Sequence, residues 1–254
     1  MRTGLTTLNQ VLSPVALLTA LPVARGRHSL GSVGIGFFPA VGLLIGAGLV
    51  AIDLVARTVL PLPAASVVVV VALVVLTGAL HLDGLADTAD GIFGGRDRNK
   101  RLAIMSDPRT GAFGFVAIAA VLLLKWAALI EVEGWLRMGA LLLVPMLARW
   151  ALLPALLLWP NAKPDGMAAR LSSKNRLAHA VAATALALGA SLAVFWPVGA
   201  GLLAVALVTP LLVGAYATAR LGGTTGDVLG AIVEVGEAML LLVVATSVSH
   251  AWLT

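Results

Sequence analysis

The sequence contains no cysteine and few charged residues: Asp, Glu, Lys and Arg make up only 11% of its 254 residues. The absence of cysteine excludes disulfide bonds and thiolate chemistry. Soluble domains carry about 25% charged residues, so the charge content argues against a soluble globular protein. The chain is instead apolar, with 60% hydrophobic residues and a mean hydropathy of +1.02. This composition predicts a polytopic membrane protein.

Seven stretches of the chain are long and apolar enough to form transmembrane helices, since one span needs about 20 residues. They lie at about 33–57, 64–82, 112–130, 135–158, 177–196, 198–218 and 228–249. We expect an all-α protein in which residues 1–254 form one membrane domain. Before the first span, LNQVLSPVALLTALPV contains two prolines and lacks a signal-peptide cleavage site. This stretch is predicted to be an interfacial or re-entrant segment.

The basic residues are distributed unequally between the two sides of the predicted helices. If the N-terminus lies in the cytoplasm, the cytoplasmic segments hold 13 of the 17 Lys and Arg residues, as the positive-inside rule requires. Three polar segments, at about 83–111, 159–176 and 219–227, then face the cytoplasm together. The net charge of +5 is explained by this topology, and we expect no nucleic-acid partner.

Three aspartates, Asp83, Asp87 and Asp90, follow the second apolar stretch in HLDGLADTADGIFGG. Their spacing of i, i+4 and i+7 places them on one side of a helix. Like charges that close together repel one another, and more strongly near lipid than in water. Mg²⁺ relieves such repulsion, because it takes hard oxygen ligands and usually binds phosphate and water as well. The pattern predicts a magnesium site on these three residues; the alternative is a solvated helix end.

The next segment, GRDRNKRLAIMSDPRTGAFG, is strongly basic. Guanidinium and ammonium groups hold phosphate oxygens well, and the predicted phosphate-binding residues here are Arg96, Arg98, Lys100, Arg101 and Arg109. The alternative is a loop whose charges serve topology and contact anionic lipid. Asp107 lies just before the third span and is a candidate further ligand of the ion.

The stretch ARLGGTTGDVLGAIVEVGE contains a glycine-rich loop at the start of the last span. Backbone N–H groups in such a loop, and at the N-terminus of the following helix, can bind an anion. This is a second predicted phosphate-binding segment, and its candidate residues are Gly222, Gly223, Thr224, Asp227 and Glu234. Asp227 could instead cap the helix. Glu234 lies about two turns into the span, where a buried polar function is favoured.

Four more charged residues lie within or near the ends of predicted spans. Arg149, in PMLARWALLP, is predicted to face an interior cavity or a partner, because a charge in lipid is costly. We include it among the substrate-binding candidates, with snorkelling to the interface as the alternative. Lys125 is predicted to pair with an acid that the sequence does not identify. Asp53 and Arg57, four residues apart, are predicted to form a local ion pair.

Three blocks, HLDGLADTADG, IMSDPRTGAFG and GGTTGDVLGA with EVGE beyond it, resemble in order and spacing those of the cobalamin synthase family, the adenosylcobinamide-GDP ribazoletransferases. The resemblance covers most of the chain. It implies a Mg²⁺-dependent enzyme of the bacterial or archaeal inner membrane, with the active site facing the cytoplasm. The implied reaction joins adenosylcobinamide-GDP to α-ribazole or its 5′-phosphate, releases GMP and completes the nucleotide loop of adenosylcobalamin or its 5′-phosphate. A homo-oligomer, or a complex with other cobalamin-assembly enzymes, is left open.

Under this resemblance, an ion on the aspartate stripe would neutralise the diphosphate, and Asp107 would orient or deprotonate the ribose 5′-hydroxyl. Two alternatives remain. The CDP-alcohol phosphotransferases, which make phospholipids, share a signature beginning D-x-x-D-G-x-x-A-R. Asp87, Asp90 and Gly91 match its start, but Gly94 and Gly95 replace Ala-Arg. A transporter is the other alternative, although its binding residues would lie near the membrane midplane rather than at one interface.

Overall fold

The computed structural model describes residues 12–22, 34–163, 176–196 and 198–249. Over these ranges the chain is helical and has no β-strand. The helices are α1 (residues 12–18), α2 (Phe38–Ala56), α3 (Leu62–Leu76), α4 (Leu80–Gly94), α5 (Arg98–Ile104), α6 (Ala112–Ile130), α7 (Gly134–Trp150), α8 (Leu152–Leu158), α9 (Arg176–Phe195), α10 (Val198–Leu221) and α11 (Gly226–Ser249). The predictions for 1–11, 23–33 and 164–175 lie outside the described residues.

Six segments in the described part of the chain are long and apolar enough to cross a membrane. They comprise α2 with the short turn before it, α6, α7 with α8, α9, α10 and α11. A seventh candidate is the pair α3 and α4, which meet at an angle of 86°. The prediction of an all-α membrane protein with about seven spans is thereby confirmed.

The bend between α3 and α4 lies inside the stretch predicted as one span at 64–82. Gly78 and Ala79 both have left-handed backbone conformations, with φ of 60° and 57°. A right-handed helix cannot continue through two such residues, so α3 ends at Leu76 and the aspartates follow on a separate helix. The peptide N–H of Ala20 donates to the carbonyl of Leu76 at 2.8 Å, which fixes the end of the α1 segment beside this corner.

The centre of the bundle consists of α7 with α8 and of α11. In each of these two spans 78% of the most apolar stretch is buried, against 22–44% in the other four, so the others form the outer layer. Glycines permit close packing on the centre: Gly42 and Gly46 of α2 lie against the backbone of α7. A side chain at either position would collide with main-chain atoms, which cannot move aside as a flexible side chain can.

The three polar segments meet at one end of the bundle. The guanidinium of Arg98 donates from Nε to the carbonyl of Leu221 at 2.7 Å and from Nη2 to that of Ala162 at 2.8 Å. Pro160 and Ala162 also pair with Thr224 through two backbone hydrogen bonds of 2.8 Å. Parts of 83–111, 159–163 and 219–227 therefore form one surface, whose residues are separated by up to 123 positions in the chain.

Candidate active site

The aspartates lie on α4, as the helical spacing predicts, but their environments differ. Asp83 is exposed, Asp87 is half-buried and Asp90 is buried. Both carboxylate oxygens of Asp90 accept hydrogen bonds from the start of α6, from Gly111 N at 2.6 Å and from Gly114 N at 2.9 Å. Asp90 therefore ties α6 to α4, a role that its spacing did not indicate. The two aspartates that face solvent are Asp83 and Asp87.

A fourth acid joins them from α11. A Cβ on Gly84 would lie 2.8 Å from the carbonyl oxygen of Asp227, and one on Gly230 would lie 3.0 Å from that of His81. The backbones of α4 and α11 are thus in direct contact, which places Asp227 beside Asp83. We call Asp83, Asp87 and Asp227 the acidic cluster. It combines two segments that the sequence indicated separately, the aspartate stripe and the glycine-rich loop.

The electrostatics of the acidic cluster favour a cation. Burial, followed by the charges of Asp83, Asp227 and Asp90, raises the pKa of Asp87 from 3.8 to about 6. Asp87 lies on α4, past the bend, and its side chain is only half-buried. Each carboxylate disfavours ionisation of its neighbour, so a bound cation would relieve the repulsion.

The described residues contain no group of three or more His, Asp or Glu side chains arranged to hold a metal ion by themselves. The predicted site on Asp83, Asp87 and Asp90 is therefore not preformed by these three side chains, because Asp90 is bonded to the start of α6. The acidic cluster still suits Mg²⁺, because this ion needs few ligands from the protein. Mg²⁺ usually takes one or two carboxylates and completes its octahedron with water and substrate phosphate.

The glycine-rich loop is organised by its threonines. Thr225 Oγ1 accepts a hydrogen bond from Val228 N at 3.3 Å and donates one to the carboxylate of Asp227 at 3.2 Å. Thr225 thus caps α11, and Asp227 is not the cap. The N–H groups of Gly222 and Thr224 donate to Thr218 and Pro160 carbonyls and are satisfied within the protein. Gly222 and Gly223, with φ of 79° and 154°, provide the turn, and their contact with phosphate stays a prediction.

The basic residues after α4 divide into two groups. Arg98 is bonded to main-chain carbonyls, as described above, and Arg101 donates from Nη1 to the carbonyl of Arg220 at 3.2 Å, so both connect polar segments to one another. Arg96, Lys100 and Arg109 are exposed, where a large ligand could reach them.

Asp107 forms an exposed pair with Arg109. Arg109 donates to its carboxylate from Nε at 3.0 Å, from Nη2 at 2.8 Å and from the backbone N–H at 3.0 Å. These hydrogen bonds lower the pKa of Asp107 to about 2. A carboxylate with so low a pKa is a weak proton acceptor, so this geometry does not favour Asp107 as a general base.

Lys163 is a candidate that the sequence did not single out. Its ammonium group donates to Ser106 Oγ at 3.0 Å, and its charge lowers the pKa of Asp87. It is the first cation of the 159–176 connection and lies against the acidic cluster only because the polar segments fold together. No local signal distinguishes it from the other loop lysines.

Two predicted substrate-binding residues lie deep in the bundle instead. Lys125 donates to Glu234 at 2.6 Å and to Glu237, and Arg149 donates to Glu237. All four side chains are at most 5% exposed. Glu234 and Arg149 are thus members of a buried ion network, which also identifies the partner of Lys125. The i, i+3 pair of acids in EVGE was the available signal for Glu237. Nε and Nη2 of Arg149 have no hydrogen-bond partner among the described residues.

The predicted local pair of Asp53 with Arg57 is wrong. Asp53 is buried and accepts from the guanidinium of Arg137, from Nε at 2.9 and 3.0 Å and from Nη2 at 2.7 Å. Nη2 also donates to Ser66 Oγ at 3.1 Å. Asp53 and Arg137 both face the interior, where unpaired charge is expensive, whereas Arg57 is exposed and gains little from an ion pair.

A cavity of about 90 Å³ adjoins the acidic cluster. Asp83 and Asp227 form one part of its wall, and residues of α1, α2, α4, α8 and α11 form the remainder. The acids therefore border both the polar surface and a largely apolar chamber.

Comparison with known proteins indicates a function for this arrangement. The profile of the family described as cobalamin-5-phosphate synthase matches residues 10–245. Three relatives named adenosylcobinamide-GDP ribazoletransferase align over nearly their whole length. The protein of Desulforamulus reducens is 36% identical over 91% of this chain and 93% of its own. Those of Stutzerimonas stutzeri and Pseudomonas paraeruginosa are each 40% identical, over 92% and 94% of this chain and 93% and 98% of their own. No solved structure matches.

Proposed function

The chain belongs to the cobalamin-5-phosphate synthase family, and from that premise we propose that it transfers a corrinoid phosphate to a nucleoside in the cytoplasmic membrane. The substrates are adenosylcobinamide-GDP and α-ribazole or its 5′-phosphate. A ribose hydroxyl bonds to the phosphorus attached to the corrinoid, the bond from that phosphorus to the bridging oxygen breaks, and GMP leaves with this oxygen. The attacking hydroxyl is not the 5′ one, because that position can carry a phosphate.

The observation that carries this proposal is the contact of α4 with α11, which combines acids from two segments beside a cavity. Asp83 and Asp87 are proposed to bind Mg²⁺, with the diphosphate completing the coordination. The ion would neutralise the diphosphate and stabilise the leaving GMP. Asp227 lines the same cavity as Asp83 and is proposed to accept the proton of the attacking hydroxyl.

Cations at the edge of the acidic cluster suit the remaining phosphate charge. Lys163 is near enough to Asp87 to affect its titration, and Lys100 and Arg96 are exposed on the same polar surface. We assign Lys163 to the diphosphate and the exposed cations to its guanosine-side phosphate, which leaves with GMP. The distribution of basic residues supports a cytoplasmic location for this surface.

The decisive experiment measures nucleotide release by the purified protein in lipid nanodiscs. With adenosylcobinamide-GDP and α-ribazole we expect GMP, and with CDP-diacylglycerol and an alcohol we expect no CMP. Turnover should stop after treatment with chelator and return with Mg²⁺. Comparing kcat/KM for α-ribazole and its 5′-phosphate identifies the preferred acceptor.

A matched pair of variants locates the reaction. Asp87→Ala should abolish GMP release and leave the protein folded in the membrane, whereas Arg57→Ala, on an exposed residue of the opposite end, should keep full activity. CMP release in the first assay would identify a phospholipid synthase instead. Full activity of the Asp87 variant would remove the metal assignment.

A further inference from the structure

The guanidinium of Arg98, on α5, is in contact with both of the other polar segments. The edge formed by its Nε and Nη2 donates to the carbonyl of Leu221 at 2.7 Å and to that of Ala162 at 2.8 Å. With this edge an arginine can hold two phosphate oxygens at once, and here two main-chain oxygens occupy it. The arrangement therefore favours a role for Arg98 other than direct phosphate binding.

The backbone that Arg98 holds comes directly before Lys163. The N–H of Ala162 donates to the carbonyl of Thr224 at 2.8 Å, and its own carbonyl accepts from Arg98. Glycine at 223 allows the two chains to meet, because a Cβ on Gly223 would lie 2.8 Å from the nitrogen of Ala162. The chain is thus fixed on both sides at the residue before Lys163.

The ammonium end of the Lys163 side chain is held beside α4. It donates to Ser106 Oγ at 3.0 Å, and Ser106 follows α5 closely in the chain. This short helix packs on α4, since a Cβ on Gly91 would lie 3.0 Å from the carbonyl oxygen of Arg101. From this place the positive charge of Lys163 favours the ionised form of two acids of the acidic cluster. Lys163 is therefore anchored at both ends next to that cluster.

We propose that Arg98 is a positioning residue, which holds Lys163 where its ammonium group meets the diphosphate of adenosylcobinamide-GDP. The inference rests on the proposed function, which assigns Lys163 to the diphosphate. Without Arg98, the chain before Lys163 keeps only its pairing with the glycine-rich loop. A lysine side chain has many rotamers, so a looser attachment makes its ordering against the phosphates more costly.

Two other roles for Arg98 make different predictions. Its side chain is exposed, so the remaining N–H groups could reach a phosphate directly. In that case, losing Arg98 and losing Lys163 would weaken substrate binding independently, and the two effects would multiply. If Arg98 only stabilised the fold, its loss would lower the amount of active protein and leave the KM of both substrates unchanged.

The test is a double-substitution cycle in lipid nanodiscs, with KM for each substrate measured from GMP release. We expect Arg98→Gln to raise KM for adenosylcobinamide-GDP by about tenfold, as for one lost hydrogen bond to a charged group. Lys163→Met should raise it further. KM for α-ribazole should stay the same in both variants. The double variant should match Lys163→Met alone, because Arg98 then has no ammonium group left to position.

Arg220→Gln is the matched control. It removes a positive charge from an exposed arginine in the last turn of α10, where the guanidinium lies 5.2 Å from the centre of the Tyr216 ring. The main-chain carbonyl that accepts from Arg101 remains. KM for adenosylcobinamide-GDP should not change. An increase as large as that of Arg98→Gln would show a general effect of surface charge and overturn the proposal.

Two results of the cycle would also overturn the positioning role: effects that multiply in the double variant, or an unchanged KM in Lys163→Met. Absence of GMP release by wild type would instead count against the proposed function itself. If Arg98→Gln does not fold, Arg98→Lys replaces it, because an ammonium group keeps the charge but lacks the two-pronged geometry. This variant should raise KM for adenosylcobinamide-GDP when Lys163 is present and not when it is Met. A rise in both backgrounds would mean that residue 98 contacts the substrate itself, against the proposal.

Discussion

We expect the four side chains of the buried ion network to be stable because their charges balance. Lys125, Arg149, Glu234 and Glu237 carry two positive and two negative charges, and Glu237 contacts both cations. Glu237→Gln keeps the shape of the side chain and removes one negative charge. Arg149 then loses its carboxylate, and one net positive charge stays buried in the bundle.

The expected cost follows from this geometry. Removing one partner of a buried ion pair costs about 3–5 kcal/mol, and an uncompensated charge at the centre of a membrane helix costs about 3 kcal/mol on insertion scales. We expect Glu237→Gln and Lys125→Met each to destabilise the protein by about 3–5 kcal/mol. The double variant Lys125→Met with Glu234→Gln removes one charge of each sign and leaves the Arg149–Glu237 pair. It should cost less than about 2 kcal/mol, because replacing a whole buried pair is often nearly neutral.

Unfolding in mixed micelles of increasing SDS content measures these differences, with the six tryptophans as fluorescent probes. The informative comparison is between the double variant and its component Lys125→Met. If the double variant is less stable than Lys125→Met alone, charge balance is not what stabilises these side chains, and the reasoning is refuted.

Three further predictions concern single residues. Asp53→Asn should lower the free energy of unfolding by about 2–4 kcal/mol and Arg57→Ala by less than about 0.5 kcal/mol. Equal effects of the two substitutions in the same unfolding assay would instead support an ion pair between Asp53 and Arg57. Gly84→Ala places a Cβ 2.8 Å from a main-chain oxygen of α11. It should therefore raise the Mg²⁺ concentration that gives half-maximal GMP release. Gly48→Ala, whose nearest neighbour would be a side-chain carbon at 3.6 Å, should not. The pKa of Asp87 rises from 3.8 to about 6 on folding, so its ionised form opposes folding above pH 6 and this penalty disappears as the pH falls toward 4. Without divalent ions, the Tm should therefore rise between pH 7.5 and 5, and an unchanged pH slope in Asp87→Asn would contradict this origin.

Local patterns in the sequence predicted several features correctly. Hydropathy summed over about 20 residues identified the membrane class and six of the seven predicted spans, and three sequence blocks identified the family. The spacing of the aspartates predicted their helix, because i, i+4 geometry depends only on the helix itself. The costly charges Lys125 and Arg149 were recognised as residues that need partners.

Other features depended on distant parts of the chain and could not be predicted. The i, i+4 rule favoured an ion pair of Asp53 with Arg57. Asp53 instead pairs with Arg137, because both of these side chains are buried. The caps formed by Asp90 and Thr225 require knowing which N–H groups lie opposite them. Lys163 has no distinguishing sequence signal at all.

The sequence by itself determined which segments are apolar enough to span a membrane and that acids lie close together near one end of them. Both properties depend only on residues that are neighbours in the chain. Only the tertiary structure decided which acid meets which base and which two helices share a site. Asp53 and Arg137 are 84 positions apart, and Asp227 reaches the α4 acids only because Gly84 lets two backbones touch. Such contacts depend on how helices pack, and packing is set by the steric fit of side chains far apart in the chain.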